Sequence, residues 1–335
     1  MAISSTRLVF LSTGKYTPTN YYTKFSLTDL QKMSHATGFV IFLTDQYNVY
    51  GAGPYTELIN DVMSQISVVA QTGKPFYVSI PVVQFGSSYN DRSKDYDRLK
   101  NQYVIPVWNK IQANSQYKSL FKGFHFRNER VFGSTSASSP TSNAQIGLMN
   151  DLAYTIRNDP NANIRKEFIW TPYMGFNSTY YEINTNIGNV VNRTNIFNTV
   201  FLQTNYFFTP AKGAWNSSTQ TGVIRQTLDL AVKSVNDNKM YNFASPGNFS
   251  SFSIVSGSKT SSTKVALVME AQDELKSAQS TYAPYYRTAC DTLSVPLMNN
   301  KCPFVFYAGS YNGIIASSLY KTIEGFYTDG RCTLP

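Results

Sequence analysis

The sequence predicts an α/β fold, a single closed (β/α)8 barrel of the TIM type. Three observations carry that expectation. Eight short runs rich in β-branched and aromatic residues recur along the chain, at Arg7 to Leu11, Gly38 to Thr44, Pro75 to Val83, Gly123 to Glu129, Glu167 to Tyr173, Thr199 to Phe207, Lys264 to Glu270 and Pro303 to Gly309. They are spaced too widely for hairpins, and most are followed by a segment of helical period, the pattern of parallel strands joined by crossover helices. The runs are apolar throughout, as strands covered on both faces must be, and eight consecutive units favour closure over an open sheet.

The helical segments follow in order. Ile59, Val62, Ile66 and Val69 repeat at three- and four-residue steps, with Gly73 as the stop. Similar stretches run from Asp95 to Ala113, Asn143 to Asn158, Gly222 to Asn236, Glu274 to Thr288 and Ile314 to Glu324, with less regular segments after the first, fifth and sixth runs. Gly133 to Ser142 reads as a loop after strand four, and the Ser- and Gly-rich stretch Ser245 to Thr263 as a long loop entering strand seven. Neither marks a linker, so one domain is expected over residues 1–335, with a C-terminal tail from about residue 325.

Composition narrows the functional classes. With 42% hydrophobic residues the 335-residue chain can bury a full core, which excludes intrinsic disorder. No apolar stretch approaches the roughly 18 residues of a membrane span. The net charge of +9 comes from scattered bases, not from the clustered patch of a nucleic-acid footprint. A surface covered largely by Ser, Thr, Asn and Tyr suits an extracellular or cell-surface protein. The N-terminus lacks the basic and apolar regions of a signal peptide, which fits a cytoplasmic protein or a mature secreted one.

Few carboxylates also leave few ion pairs to lose in acid, so acid tolerance is expected. Cys290, Cys302 and Cys332 fit no zinc spacing, and one disulfide among them would pin the tail to the body. Two His residues leave little material for a catalytic triad or a His-rich metal site, and there is no phosphate-binding glycine loop. No cofactor or metal is expected.

In such barrels the reactive groups gather at the C-terminal ends of the strands. The polar residues there are Asp45 after strand two, Arg127, Asn128 and Glu129 on four, Trp170 and Tyr173 on five, Gln203, Asn205 and Tyr206 on six, Glu270 on seven and Tyr307 on eight. On strand four a two-residue period sets Glu129, Arg127 and His125 on one face and Phe124 and Phe126 on the other, so the polar set faces the barrel axis. On strand seven the same parity puts Ala266 and Val268 inward beneath Glu270. Two carboxylates looking into one mouth can flank a glycosidic bond, one protonating the leaving oxygen while the other attacks the anomeric carbon. Across the barrel they can close to the roughly 5 to 5.5 Å of a retaining pair. Trp170, Tyr173, Tyr206, Tyr307 and Tyr311 are placed where sugar rings could stack, Trp170 and Tyr206 foremost.

With Asn128-Glu129 ending strand four and Glu270 ending strand seven, the chain resembles the large clan of retaining glycosidase barrels. The resemblance implies Glu129 as acid/base, Glu270 as nucleophile, and Asn128 as donor to the sugar 2-hydroxyl, with the Tyr-bearing end of strand six, Gln203-Thr-Asn-Tyr206, beside the nucleophile. The stretches Ile169-Trp-Thr-Pro-Tyr173 and Leu202-Gln-Thr-Asn-Tyr-Phe-Phe208 also resemble a glycosidase-like family catalogued as domain of unknown function 4855. Strand eight departs from the clan in lacking its Trp. Phe121 to Glu129 has the spacing of the family 18 chitinase strand without its Asp residues, which argues against a substrate-assisted mechanism. Arg127 beside Glu129 opposes the raised pKa of a general acid unless it faces an anionic substrate group or the protein works at low pH. The alternative expectation is a carbohydrate-binding or cell-surface structural barrel without catalysis.

Overall fold

The computed structural model describes residues 6–43, 55–175 and 179–335. Eight parallel strands close the expected barrel: β1 (Arg7–Thr13), β2 (Gly38–Leu43), β3 (Phe76–Ser79), β4 (Phe121–Phe126), β5 (Glu167–Trp170), β6 (Thr199–Leu202), β7 (Lys264–Glu270) and β8 (Phe304–Tyr307). Each pairs with its neighbours in order, and β1 bonds to both β2 and β8. Every sequence-predicted run contributes one strand. The runs at β3, β4, β5 and β6 extend beyond their strands, so Arg127, Asn128 and Glu129 follow β4 and are not part of it; Ile80, Tyr173 and Gln203 peel away into the mouth while keeping single backbone bonds to His125, Glu129 and Pro172 of the neighbouring segments.

Alternation along the strands sorts the side chains into two cores. Leu8, Phe10, Val40, Phe42, Tyr77, Ile169, Phe201, Ala266, Val268 and Val305 fill the barrel interior. Phe124, Phe126, Trp170 and the apolar helix faces form the larger layer outside it. Gly123 permits the β4–β5 contact, since a Cβ there would stand 1.9 Å from the Glu167 carbonyl oxygen.

Helix α1 (Thr56–Gln71) buries Leu58, Ile59, Val62, Ile66 and Val69 and stops where Gly73 takes φ +69°. The segment expected from Asp95 to Ala113 is helical from Arg92 to Gln112, but it widens to a π-turn over Lys100–Val104 just before Pro106, which has no N–H for the regular ladder. Helix α2 (Tyr180–Arg193) occupies a stretch where no regular pattern was expected. Helix α3 (Gln279–Met298) runs ten residues past the predicted end because Cys290, Leu293 and Leu297 continue the buried stripe. The stretch read as a loop from Ser245 is instead largely an antiparallel hairpin, Tyr241–Ser245 with Asn248–Ile254, turning at Gly247. Phe243 and Phe249 pack it against Tyr180 and Trp215.

Helix α4 (Leu319–Asp329) carries the chain past the expected start of the tail, which leaves it at Gly330. A Cys290–Cys332 disulfide ties that tail to α3, and Cys302 is a buried free thiol. Among the described residues no helix is long and apolar enough to cross a membrane.

The bond spans 42 residues, for which the chain-entropy treatment gives a stabilisation of up to about 4 kcal/mol. Thiol titration of the unreduced, denatured protein should find one reactive group, and Cys332→Ser should lower the denaturation midpoint. Three titrating thiols would show that the bond does not form.

Candidate active site

The upper end of the barrel is built from the inward set on β4 and just past it. His125 lies fully buried, with Nδ1 2.8 Å from Ser79 Oγ and Nε2 2.8 Å from Thr171 Oγ1. Burial, and then the charge of Arg127, push its pKa well below the usual imidazole value, so it is a neutral strut. Above it Arg127 spreads over the Phe42 ring at 4.4 Å, donates from Nε to the Leu43 carbonyl at 2.8 Å, and meets Glu129 at 3.4 Å. Phe42 also lies 5.9 Å from Tyr307. Burial pushes the Tyr307 phenol up to about 12, with smaller opposing effects of Arg127 and Glu129.

Glu270 ends β7 above Ala266 and Val268, as the parity required. Only 3% of it is exposed. The Gln203 side chain and the Asn205 backbone lie near enough to its carboxyl to stabilise the charged form, while Oε1 has no hydrogen-bond partner among the described residues. Desolvation, and next the charge of Glu129, push its pKa up to about 8; Gln203, Asn205 and Lys212 pull the other way. Glu270 therefore holds its proton to higher pH than an exposed carboxyl does.

A cavity of about 560 Å³ opens over the pair, lined by Arg127, Asn128, Glu129, Arg130, Tyr173 and Lys212 among others. Asn205 also borders it, held at φ +56°, whereas Glu270 lies behind this lining. Arg130 stands over the Tyr173 ring at 4.5 Å.

The structure thus brings together Arg127, Glu129, Tyr173, Gln203, Asn205, Glu270 and Tyr307 at one end of the barrel. Three of the expected residues are placed differently. Trp170 needs correcting as a sugar platform: it is wholly buried, stacked on Phe197 at 5.2 Å, and its indole N–H donates to the Asn128 carbonyl at 2.6 Å. Its place on β5 points it outward under the helices. Tyr206 packs 5.7 Å from Tyr285, beyond the cavity wall, and the backbone of Asn205 takes the place beside Glu270. Asn128 uses its side chain on Val83, accepting from the backbone N–H at 2.9 Å and donating to the carbonyl at 2.5 Å, so it holds the loop after β3. Asp45 lies outside the described residues.

Sequence reasoning missed Arg130 and Lys212. Arg130 follows Glu129 directly, one residue beyond the run read as strand four. Lys212 closes a one-turn helix, Thr209–Lys212, in the loop after β6, where nothing in the pattern distinguishes it from other surface lysines.

Among solved structures, the Legionella pneumophila ChiA C-terminal domain resembles the chain at a TM-score of 0.51 and 13% identity, covering 98% of this chain and 100% of that one. A GH18 chitinase from Pseudoalteromonas aurantia gives a TM-score of 0.45 at 11% identity over 95% of this chain and 98% of the other. A beta-mannanase from the blue mussel Mytilus edulis gives 0.43 at 9% over 97% and 94%. The first of these supports the shared barrel fold. No protein-family model and no curated protein matches the sequence, so the likeness to the domain of unknown function 4855 family rests on its two short stretches alone.

The buried proton on Glu270 has a consequence for stability. The unfolded chain ionises this group from about pH 4.5 upward, while the folded chain holds the proton to about pH 8. The folded state binds more protons across that window, so stability falls as pH rises through it. Glu270→Gln removes the loss. Urea denaturation should show little difference from the unchanged protein at pH 4.5 and a gain of roughly a few kcal/mol for the variant at pH 8.5. Equal stability at both pH values would mean that the carboxyl is not desolvated.

Proposed function

We propose that the protein is an extracellular glycoside hydrolase whose acid and nucleophile are Glu270 and Glu129. The observation that carries this reading is the pair itself. Glu129, just past β4, lines the cavity and is salt-bridged to Arg127, and Glu270, at the end of β7, lies close enough for the charge of Glu129 to help raise its pKa. A carboxyl with a raised pKa beside a second carboxyl is an arrangement from which a single site can supply an acid and a base together.

The location of the proton supports an order of roles opposite to that implied by the clan resemblance. Glu270 donates its proton to the glycosidic oxygen as the bond to the anomeric carbon breaks, and the bond's electron pair leaves with that oxygen. A Glu129 carboxylate oxygen bonds to the anomeric carbon. Water then displaces Glu129 and gives its proton back to Glu270. Tyr173 and Arg130 flank the cavity where the sugar would lie. Secretion fits the disulfide, which persists in oxidising compartments.

The near-complete burial of Glu270 favours a second reading, a barrel that binds carbohydrate without cleaving it. A glycan panel separates the two. Hydrolysis should appear with the unchanged protein and fall at least about a hundredfold in Glu129→Gln and in Glu270→Gln. NMR should show the first-formed anomer with retained configuration; an inverted product would remove the covalent intermediate and leave the pair. Turnover that survives both substitutions, or glycan binding with no cleavage on long incubation, overturns the hydrolase.

A further inference from the structure

Among the described residues that line the cavity, cations outnumber carboxylates. Three cations line it, Arg127, Arg130 and Lys212, and Glu129 is the only carboxylate among the described lining residues. Glu270, behind the wall, holds its proton to higher pH than an exposed carboxyl does. The cations are set by separate parts of the chain. Arg127 is fixed over Phe42 by its bond to the Leu43 carbonyl, and it holds Glu129 at only 3.4 Å, longer than a good charge-assisted hydrogen bond. Arg130 is kept upright between Tyr173 at 4.5 Å and Phe132 at 5.6 Å. Burial lowers its pKa and the nearby charge of Glu129 raises it. Lys212 enters from the loop after β6 and is near enough to Glu270 to act on its carboxyl.

Positive charge gathered in a concave site concentrates anions there. Guanidinium groups moreover match planar or trigonal oxyanions through paired N–H donors. We propose that the cavity takes an acidic glycan, one whose sugar ring carries an oxyanion, a uronate carboxylate or a sulfate ester, seated against Arg127 and Arg130. This rests on the reading of the site as one for carbohydrate.

Calorimetric titration of the full chain with three oligosaccharide sets tests it: uronic-acid oligomers, the same oligomers with their carboxyls reduced to alcohols, and sulfated neutral oligomers. At least one acidic set should bind about tenfold or more tighter than the reduced set, and the advantage should shrink as salt rises. Arg130→Gln and, separately, Lys212→Gln should erode that preference about tenfold, with unchanged circular dichroism showing that each variant folds. Which acidic set binds distinguishes carboxylate from sulfate. Equal binding of the reduced set, no binding by any set, or a preference untouched by both substitutions overturns the proposal. Turnover is read separately. Acidic oligomers that bind but are not cleaved leave the ligand class standing and remove the hydrolase. Glu270-dependent cleavage of neutral oligomers alone does the reverse.

Discussion

Two-residue alternation inside a closed ring of strands is the constraint on which the rest of the structure depends. Half of every strand faces a helix layer and half faces an interior that has no edge and little water, so each inward polar group must find its partner within the barrel. Phe10, Val40, Ile169 and Val268 meet that demand by being apolar. His125 meets it with one hydroxyl on each ring nitrogen. Higher up, where β4 and β7 reach the mouth, the demand is met only in part. Arg127 divides itself between a carbonyl, an aromatic face and Glu129, and Glu270 is left with an unpartnered Oε1. A polar group left in that state has energy to gain from a ligand, and the two such residues that matter here stand at the end of the fold where barrels gather their chemistry.

The electrostatics of the pair follow from depth. Glu129 is the shallower carboxyl and takes the guanidinium; Glu270 is the deeper one and takes the proton, because desolvation penalises its charge before any neighbour is counted. Neither assignment depends on which strand bears which residue. The clan resemblance assigns roles by strand, and depth assigns them by environment. Here the two disagree, since an arginine stands beside the residue that the resemblance would make the acid.

The eight strands were legible because both faces of each are covered, which writes an apolar run into the sequence, and because the inward parity of β4 and β7 follows from the period alone. Helix α2 was not legible. Asn184, Asn186, Asn189 and Asn192 interrupt its apolar stripe, yet all four are buried. Asn192 bonds the backbone of Met240 and Val255, Asn186 the carbonyls of Val131 and Gly133, and Asn189 that of Thr135. Each side-chain amide thus acts as a backbone surrogate, binding the loop after β4 and the hairpin to one helix, and a polarity pattern reads such a residue as solvent-facing. Trp170 failed for a related reason. Its position at the end of a strand looked like the mouth, but the alternation that turns His125 and Ile169 inward turns Phe126 and Trp170 outward. Arg130 and Lys212 lie where the strands have ended and period no longer applies.

The same buried groups set where the fold is most secure. His125 cannot take a proton in the folded chain, so the unfolded state gains one as pH falls through the ordinary histidine value of 6.5, and stability is lost below that. Glu270 acts in the other direction, costing stability as pH rises from 4.5 toward about 8. The scarcity of carboxylates, which argues for acid tolerance from composition, is thereby qualified by one buried imidazole. Between the two titrations lies a mildly acidic window in which His125 is little penalised and Glu270 has not yet cost its full share. In that window the proton on Glu270 is also secure, so the condition that favours the fold coincides with the one that keeps an acid loaded beneath the cavity.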